Sequence, residues 1–387
     1  MSRRHREILT AFLTLVLSSQ VFSSERDHAA RTAQLRYRLV EVFRVLPDGR
    51  QENLGPRSIN DRGDVLATGS LRDNSNDPSP GTASSSPRTF IWRGGRVVTE
   101  LVSPDASYPD VEARRINNRG EVAGTRVLYD PGYTARLAFV WRHGRFMDLG
   151  SLPAPNAIWS FASSINDWGE VAGYTIDNDF NFYAVPFRWY RGRASRLQID
   201  PALSANALDI NNFGQVVGYS SPGPYDPYDG PYGGYVAGRK GPVHFLESLP
   251  GSQSMYPEAI NDRGQVIGTT GDRAVLWEDG TVLDLGTLPG ATSARATAIN
   301  VFGTIVGYAI TASGGDPIAM IWREGEMRDL NEMIVDDDLD ASGVHFTFAS
   351  DINNLGWIAA TGKDGSRPPD EQYRGFLLIP VKWKHRH

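Results

Sequence analysis

The stretch Arg295 to Ala309, RATAINVFGTIVGYA, decides the fold, because its skeleton recurs: Ile-Asn-x-x-Gly, followed four residues later by another small residue, occurs seven times. The asparagines are Asn60, Asn117, Asn166, Asn211, Asn261, Asn300 and Asn353, at intervals of 57, 49, 45, 50, 39 and 53 residues. Such a period marks a repeat architecture, and the shortest interval is close to the ~40–45 residues of a four-stranded propeller blade. Within each copy, Asn can accept hydrogen bonds from the backbone ahead of it and Gly tolerates positive φ, so the quartet reads as a turn.

Each turn is flanked by β-prone runs, "ATAIN" and "TIVGYAI" in the sixth copy, which form a hairpin of strands A and B. A third apolar run ends in Trp92, Trp141, Trp189, Trp277 or Trp322 and is strand C. A Gly-containing turn then leads into strand D, as in "FMDLGSL" or "VLDLGTL". The fourth copy, "GYVAGRKGPVHFLESL", lacks the Trp and has Ala237 near its place. Four antiparallel strands apolar on both faces suit a sheet packed between two like sheets. No copy holds ten residues of helical periodicity, which excludes a helical solenoid.

The expected fold is therefore all-β: a seven-bladed β-propeller of four-stranded antiparallel blades, with six or eight blades as the alternatives. The blades lie near residues 58–101, 113–152, 162–199, 207–249, 257–288, 296–334 and 349–381 of a propeller spanning 37–383. The seventh copy runs out before a strand D, while "YRLVEVFRVL" near the N-terminus has no hairpin partner. Its Glu41-Val42 resembles the Asp-Leu of "MDLGSL", so strand 37–46 is expected to complete the last blade and leave no free edge.

Upstream, basic "SRRHR", apolar "ILTAFLTLVL" and "SSQVFSS" read as a signal peptide over 1–23, cut after Ser23, with an uncleaved anchor as the alternative. Residues 24–36 form a short linker and 384–387 a basic tail. No apolar run reaches the ~20 residues of a membrane span. Removing 1–23 takes away three arginines and one glutamate, leaving 36 basic against 44 acidic residues and a net charge of −8. An acidic exported chain is a poor ligand for nucleic acid or anionic lipid. The absence of cysteine excludes disulfides and thiolate metal sites.

"AFVWRHGRFMDLGSL" followed by "SINDWGEVAGY", and "AVLWEDGTVLDLGTLPGATSARATAIN" followed by "FGTIVGY", resemble the HAF repeat family of extracellular proteins over nearly the whole mature chain. The resemblance implies an exported repeat protein and names no activity. Two departures stand out. The family's histidine before the strand C Trp is missing, its place taken by Arg88 and Thr89, Leu137, Pro186, Arg273 and Ile318 or their neighbours. Many relatives carry a bacterial surface-sorting tail, whereas this chain ends "VKWKHRH", which favours release or periplasmic retention.

Chain direction puts the uniform A–B and C–D turns on one face and the variable B–C and D–A connections on the other, where binding normally resides. In "GPYDPYDGPYGG", Tyr225, Tyr228 and Tyr232 alternate with Asp226 and Asp229, a composition suited to sugar stacking or a protein partner. Trp159, Tyr108 and Tyr256 precede strand A on the same face and are candidates to line a central mouth. Asp336, Asp338 and Asp340 alternate as calcium ligands would, without the Gly and Glu of a complete calcium loop. Calcium is thus the one candidate ion, and no cofactor is expected. The seven histidines are scattered and no phosphate loop or catalytic spacing is present. The sequence points to a non-enzymatic, monomeric binding or interaction propeller for a glycan or an extracellular protein. A carbohydrate-active hydrolytic propeller and a structural envelope component are the alternatives.

Overall fold

The computed structural model describes residues 35–70, 87–104, 110–130, 133–150, 152, 157–177, 183–222, 233–252, 254–312, 314–335, 343–368 and 372–382. Apart from one 3-10 turn, Leu330–Met333, their regular secondary structure is all strand. Each repeat unit begins with a strand A that ends one residue before the repeated Asn: Gly55–Ile59, Val111–Ile116, Ala157–Ile165, Ser204–Ile210, Met255–Ile260, Ala291–Ile299 and Val344–Ile352. Strands A to D of units one, four, five and six form separate four-stranded antiparallel sheets. Those of units two and three are joined into one eight-stranded sheet by a single parallel pairing, Trp159 with Arg136.

The turns follow from their residues. Asn60 Oδ1 accepts from the backbone N–H of Arg62 and of Asp64 at 3.0 and 2.9 Å, and Gly63, at φ 76°, donates to the Asn60 carbonyl. On the same face the C–D turns put His143, Arg191, Asp279 and Glu324 at φ near 50° ahead of a positive-φ Gly, the geometry of the two-residue hairpin turn that matches strand twist.

The asparagines also connect the units. The Nδ2 of Asn60 donates to the carbonyl of Asn117, Asn117 to Asn166, Asn166 to Asn211, Asn211 to Asn261, Asn261 to Asn300, Asn300 to Asn353, and Asn353 back to Asn60, at 2.9 to 3.2 Å. This girdle returns to its starting residue. A second girdle runs through the next position, where Asp61, Asn118, Asp167, Asn212 and Asp262 alternate acceptor and donor side chains. Asn354 closes back onto Asp61 at 3.0 Å, and Val301, between Asp262 and Asn354, has no side-chain polar group to offer. Val301→Asn is expected to supply the missing contact to Asp262 and to raise stability in urea titration by about 0.5–1 kcal/mol. A destabilised variant would show that the gap is not what limits this girdle.

Between units the packing is apolar. Ala113 and Ile116 of unit two pack on Leu66 and Ile91 of unit one, Ala162 and Ile165 of unit three on Ala123 and Val140, and Ala207 and Ile210 of unit four on Ala172 and Leu197. The strand C tryptophans wedge into the same layers. Trp189 and Trp277 donate their indole N–H to the carbonyls of Leu149 and Glu247 in the preceding unit at 3.0 and 2.6 Å. Ala237 takes the Trp register in unit four, opposite Val216 as Trp277 is opposite Val266.

In unit seven the outer partner comes from the other end of the chain. Strand Leu35–Val45 pairs antiparallel with Tyr373–Lys382, from Leu35 opposite Lys382 to Val42 opposite Gly375. Glu41 lies opposite Phe376 as Asp148 lies opposite Phe139, and Arg374 grips Glu41 as Arg126 grips Asp148. No helix among the described residues is long and apolar enough to cross a membrane.

Candidate functional site on the repeat axis

In every unit the pairing of strand A with strand B slips by one residue at the same place, three positions before the Asn. The skipped residues are Arg57, Arg114, Ser163, Leu208, Glu258, Thr297 and Ser350. Burial explains the slip. Pro56, Ala113, Ala162, Ala207, Pro257, Ala296 and Ala349 are buried, and so is the Ile three residues beyond each. Where the cluster contacts define the face, in units two to four, both members of the pair meet the preceding unit. A strand alternates faces with period two, so two residues three apart share a face only if one extra residue is bulged between them. A bulge re-aims its side chain.

All seven bulged residues line one cavity of about 350 Å³ on the repeat axis. Its polar groups are asymmetric. Units one and two bring Arg57, Arg114 and Arg115, and units four and five, across the axis, bring Asp209 and Glu258. Arg115 meets the buried Asp351 at 3.3 Å. Asp351 Oδ2 accepts from the Ile59 N–H at 2.9 Å, and its own next residue, Ile352, donates to Oδ1 at 2.9 Å. Burial raises the Asp351 carboxyl above the usual carboxylate range, against the pull of Arg115. Asp209, at the equivalent position of unit four, accepts from Ser164 Oγ at 2.6 Å and from the Ile260 N–H at 2.9 Å. Glu258 is exposed to the cavity yet enclosed by the strands around it; this enclosure and the Asp209 charge push its carboxyl up to about 7, opposed by Arg115, Arg295 and Arg114.

Five residues before each Asn, strand A is nearer the D–A connections, and there three of the seven units carry an aromatic residue, Phe161, Tyr256 and Phe348. Phe161 stacks on Tyr174 with centroids 4.8 Å apart, Tyr256 meets Tyr219 edge-on at 5.9 Å, and Phe348 meets Tyr308 edge-on at 4.7 Å. Glu112 and Arg295 occupy the same position in units two and six, Arg136 bonds Glu112 at 3.1 Å, and Asn206 donates to the Tyr219 hydroxyl at 2.6 Å. At the opposite end the axis is lined by the two Asn/Asp girdles around a narrower space of about 130 Å³.

Of the residues singled out in the sequence, Tyr256 belongs to this aromatic mouth. Trp159 lies within strand A, at the seam between units two and three. The seven repeated asparagines are buried in their turns. Tyr108, Tyr225, Asp226, Tyr228, Asp229, Tyr232, Asp336, Asp338 and Asp340 lie outside the described residues. Among the described residues no group of three His, Asp or Glu is placed to hold a metal. Sequence reasoning passed over Arg57, Arg114 and Glu258, although the three-residue spacing from a buried Ala or Pro to the buried Ile was there to reveal the bulge.

The chain is similar in fold to a prolyl endopeptidase at TM-score 0.56 and 11% identity, over 92% of this chain and 51% of that one. Two further similarities fall lower. One is to a catalytically inactive virginiamycin B lyase from Staphylococcus aureus with quinupristin, at TM-score 0.49, 10% identity, and 89% and 99% of the two chains. The other is to the β-propeller domain of the trilobed protease from Pyrococcus furiosus, described as having an open velcro topology, at TM-score 0.47, 11% identity, and 76% and 98%. No family model and no curated protein matches the chain. The fold is all-β and β-propeller-like; at these identities the similarities speak to fold alone.

Proposed function

We propose that the chain is a seven-bladed propeller of the HAF repeat type, closed by its N-terminal strand and exported, and that it acts as a binding module for a glycan or an extracellular protein. The observation that carries this reading is the convergence of seven equivalent bulge residues on one cavity, beneath a mouth of paired aromatic rings. A repeated scaffold that brings seven equivalent positions together on one cavity and fills them with different side chains is suited to recognition. Aromatic faces beside hydrogen-bonding groups suit sugars, so a glycan is the favoured ligand. A glycan array and polysaccharide pull-down with residues 24–387, with calcium and with chelator, is expected to give glycan hits. Their absence, with capture of an extracellular protein instead, would move the reading to a protein partner.

Glu258 favours hydrolysis as the second reading, since an acid held protonated near neutrality beside a carboxylate is how glycosidases prepare proton transfer. The same shift has a signature in stability. The folded chain keeps the Glu258 proton to about pH 7, whereas the unfolded chain releases it near the ordinary 4.5, so between these values the folded state binds more protons and stability falls as pH rises. Glu258→Gln is expected to flatten that fall between pH 4.5 and about 7 in thermal melts. If the site is hydrolytic, the variant also abolishes release of reducing ends from a bound polysaccharide; binding without any turnover by the natural chain would remove the hydrolytic reading.

A further inference from the structure

We propose that the axial cavity is an acidic-sugar site, in which Arg57 and Arg114 grip the carboxylate of a uronic-acid unit while the aromatic mouth holds the pyranose faces. This rests on the glycan-binding reading above. The two arginines occupy the same bulge position in neighbouring units, so the fold presents their guanidinium groups side by side at one wall of the cavity.

Neither is used up by the protein. Arg57 makes no hydrogen bond and no ion pair among the described residues. Among the described residues Arg114 reaches only Glu112, at 3.8 Å. Other arginines of the first units are engaged: Arg115 with Asp351, Arg136 with Glu112, Arg62 with Asp64 and Arg119 with Glu121. Enclosure, and after it the like charge of Arg114, holds the Arg57 guanidinium below its usual range, the condition that an anion between the two would relieve.

The class of anion follows from the shape and the far wall. A planar guanidinium presents parallel N–H donors that match the two oxygens of a carboxylate. Across the axis the Asp209 carboxylate opposes a second negative group, and Glu258 and Asp209 offer oxygens to hydroxyls. A compact unit with one carboxylate, several hydroxyls and an apolar ring face satisfies both walls and the mouth together. A uronic acid is such a unit, and a cavity of about 350 Å³ is of the size that holds one small ligand.

The test compares polygalacturonate with its methyl ester, the same chain with the charge masked, by calorimetry on residues 24–387. The natural protein is expected to bind the acid form at least about tenfold more tightly. Arg57→Gln and Arg114→Gln should each erase that preference while leaving the melting temperature unchanged, and Arg263→Gln, in a turn of the opposite face, should leave it intact. Equal affinity for both forms would overturn the carboxylate grip and leave the glycan reading standing. Preference for polyglutamate over both polysaccharides would overturn the sugar class. Failure to bind any of the three, together with a blank glycan array, would overturn this inference and the reading beneath it.

Discussion

A chain lacking residues 37–46 is expected to show no cooperative thermal transition under conditions where the full chain melts in one step. The segment is short, but it is the outer partner of the last strand along six paired positions, Tyr37 to Val42. Val42 and Tyr37 are 0% and 1% exposed, and burying two such side chains contributes about 3–6 kcal/mol. Tyr37 is placed against the end of unit six as well, where its carbonyl accepts from the Val335 N–H and Ile334 bridges to it. Removing the segment exposes the hydrogen-bonding edge of Tyr373–Lys382, strips Arg374 of Glu41, and uncovers Ile334 and Phe376. The loss is comparable with the whole margin of an ordinary domain, about 5–15 kcal/mol. Differential scanning calorimetry checks this directly; an unchanged transition would mean that the repeat units hold together without the N-terminal strand.

Asn166→Ala should be the most damaging single substitution in the turns, costing about 3–5 kcal/mol in urea titration. The side chain accepts from the N–H of Trp168 and of Glu170, at 3.0 and 2.9 Å, and donates to the Glu170 carboxylate and to the Asn211 carbonyl, both at 2.9 Å. Truncation leaves two donors and the Asn211 carbonyl without their side-chain partner in a site that is 4% exposed at Asn166. Water cannot easily replace them, because the neighbouring turn covers the gap. The same argument applies with less force to Asn300, whose i+4 partner is the shorter Thr304 and whose bond to Asn353 is longer, at 3.2 Å. A cost below about 1 kcal/mol at Asn166 would show that the six remaining links carry the girdle without it.

The turns, the strand order and the Trp-bearing strands were legible because each depends on local chemistry: an Asn that caps its own turn, a Gly at positive φ, an apolar run of strand length. The axial site was not legible for the opposite reason. Arg57, Arg114 and Glu258 look in sequence like polar residues on the way to a turn, since the reading rested on the turn and the runs beside it and did not follow face alternation through strand A. What turns them inward is the need to bury Pro56, Ala113 or Pro257 together with the Ile three residues on, a requirement imposed by the neighbouring unit. Variability draws attention to the loops; of the tyrosines singled out, Tyr256 is the one among the described residues, and it lies within strand A, Met255–Ile260, rather than in the loop before it. The Arg115 to Asp351 contact joins units two and seven, 236 residues apart, and no local pattern announces it.

The second girdle carries a lesson in parity. Donor and acceptor side chains can alternate strictly around an even ring, but around an odd one the alternation breaks once, where two like groups meet or one member drops out; an amide both donates and accepts, so a pair of Asn is the like pair that costs least. Here the member that drops out is Val301, and with it removed the order Asp61, Asn118, Asp167, Asn212, Asp262, Asn354 alternates perfectly. The frustration is thereby confined to one unit, and the other six carry a pattern that would suit a six-membered ring as well as their own.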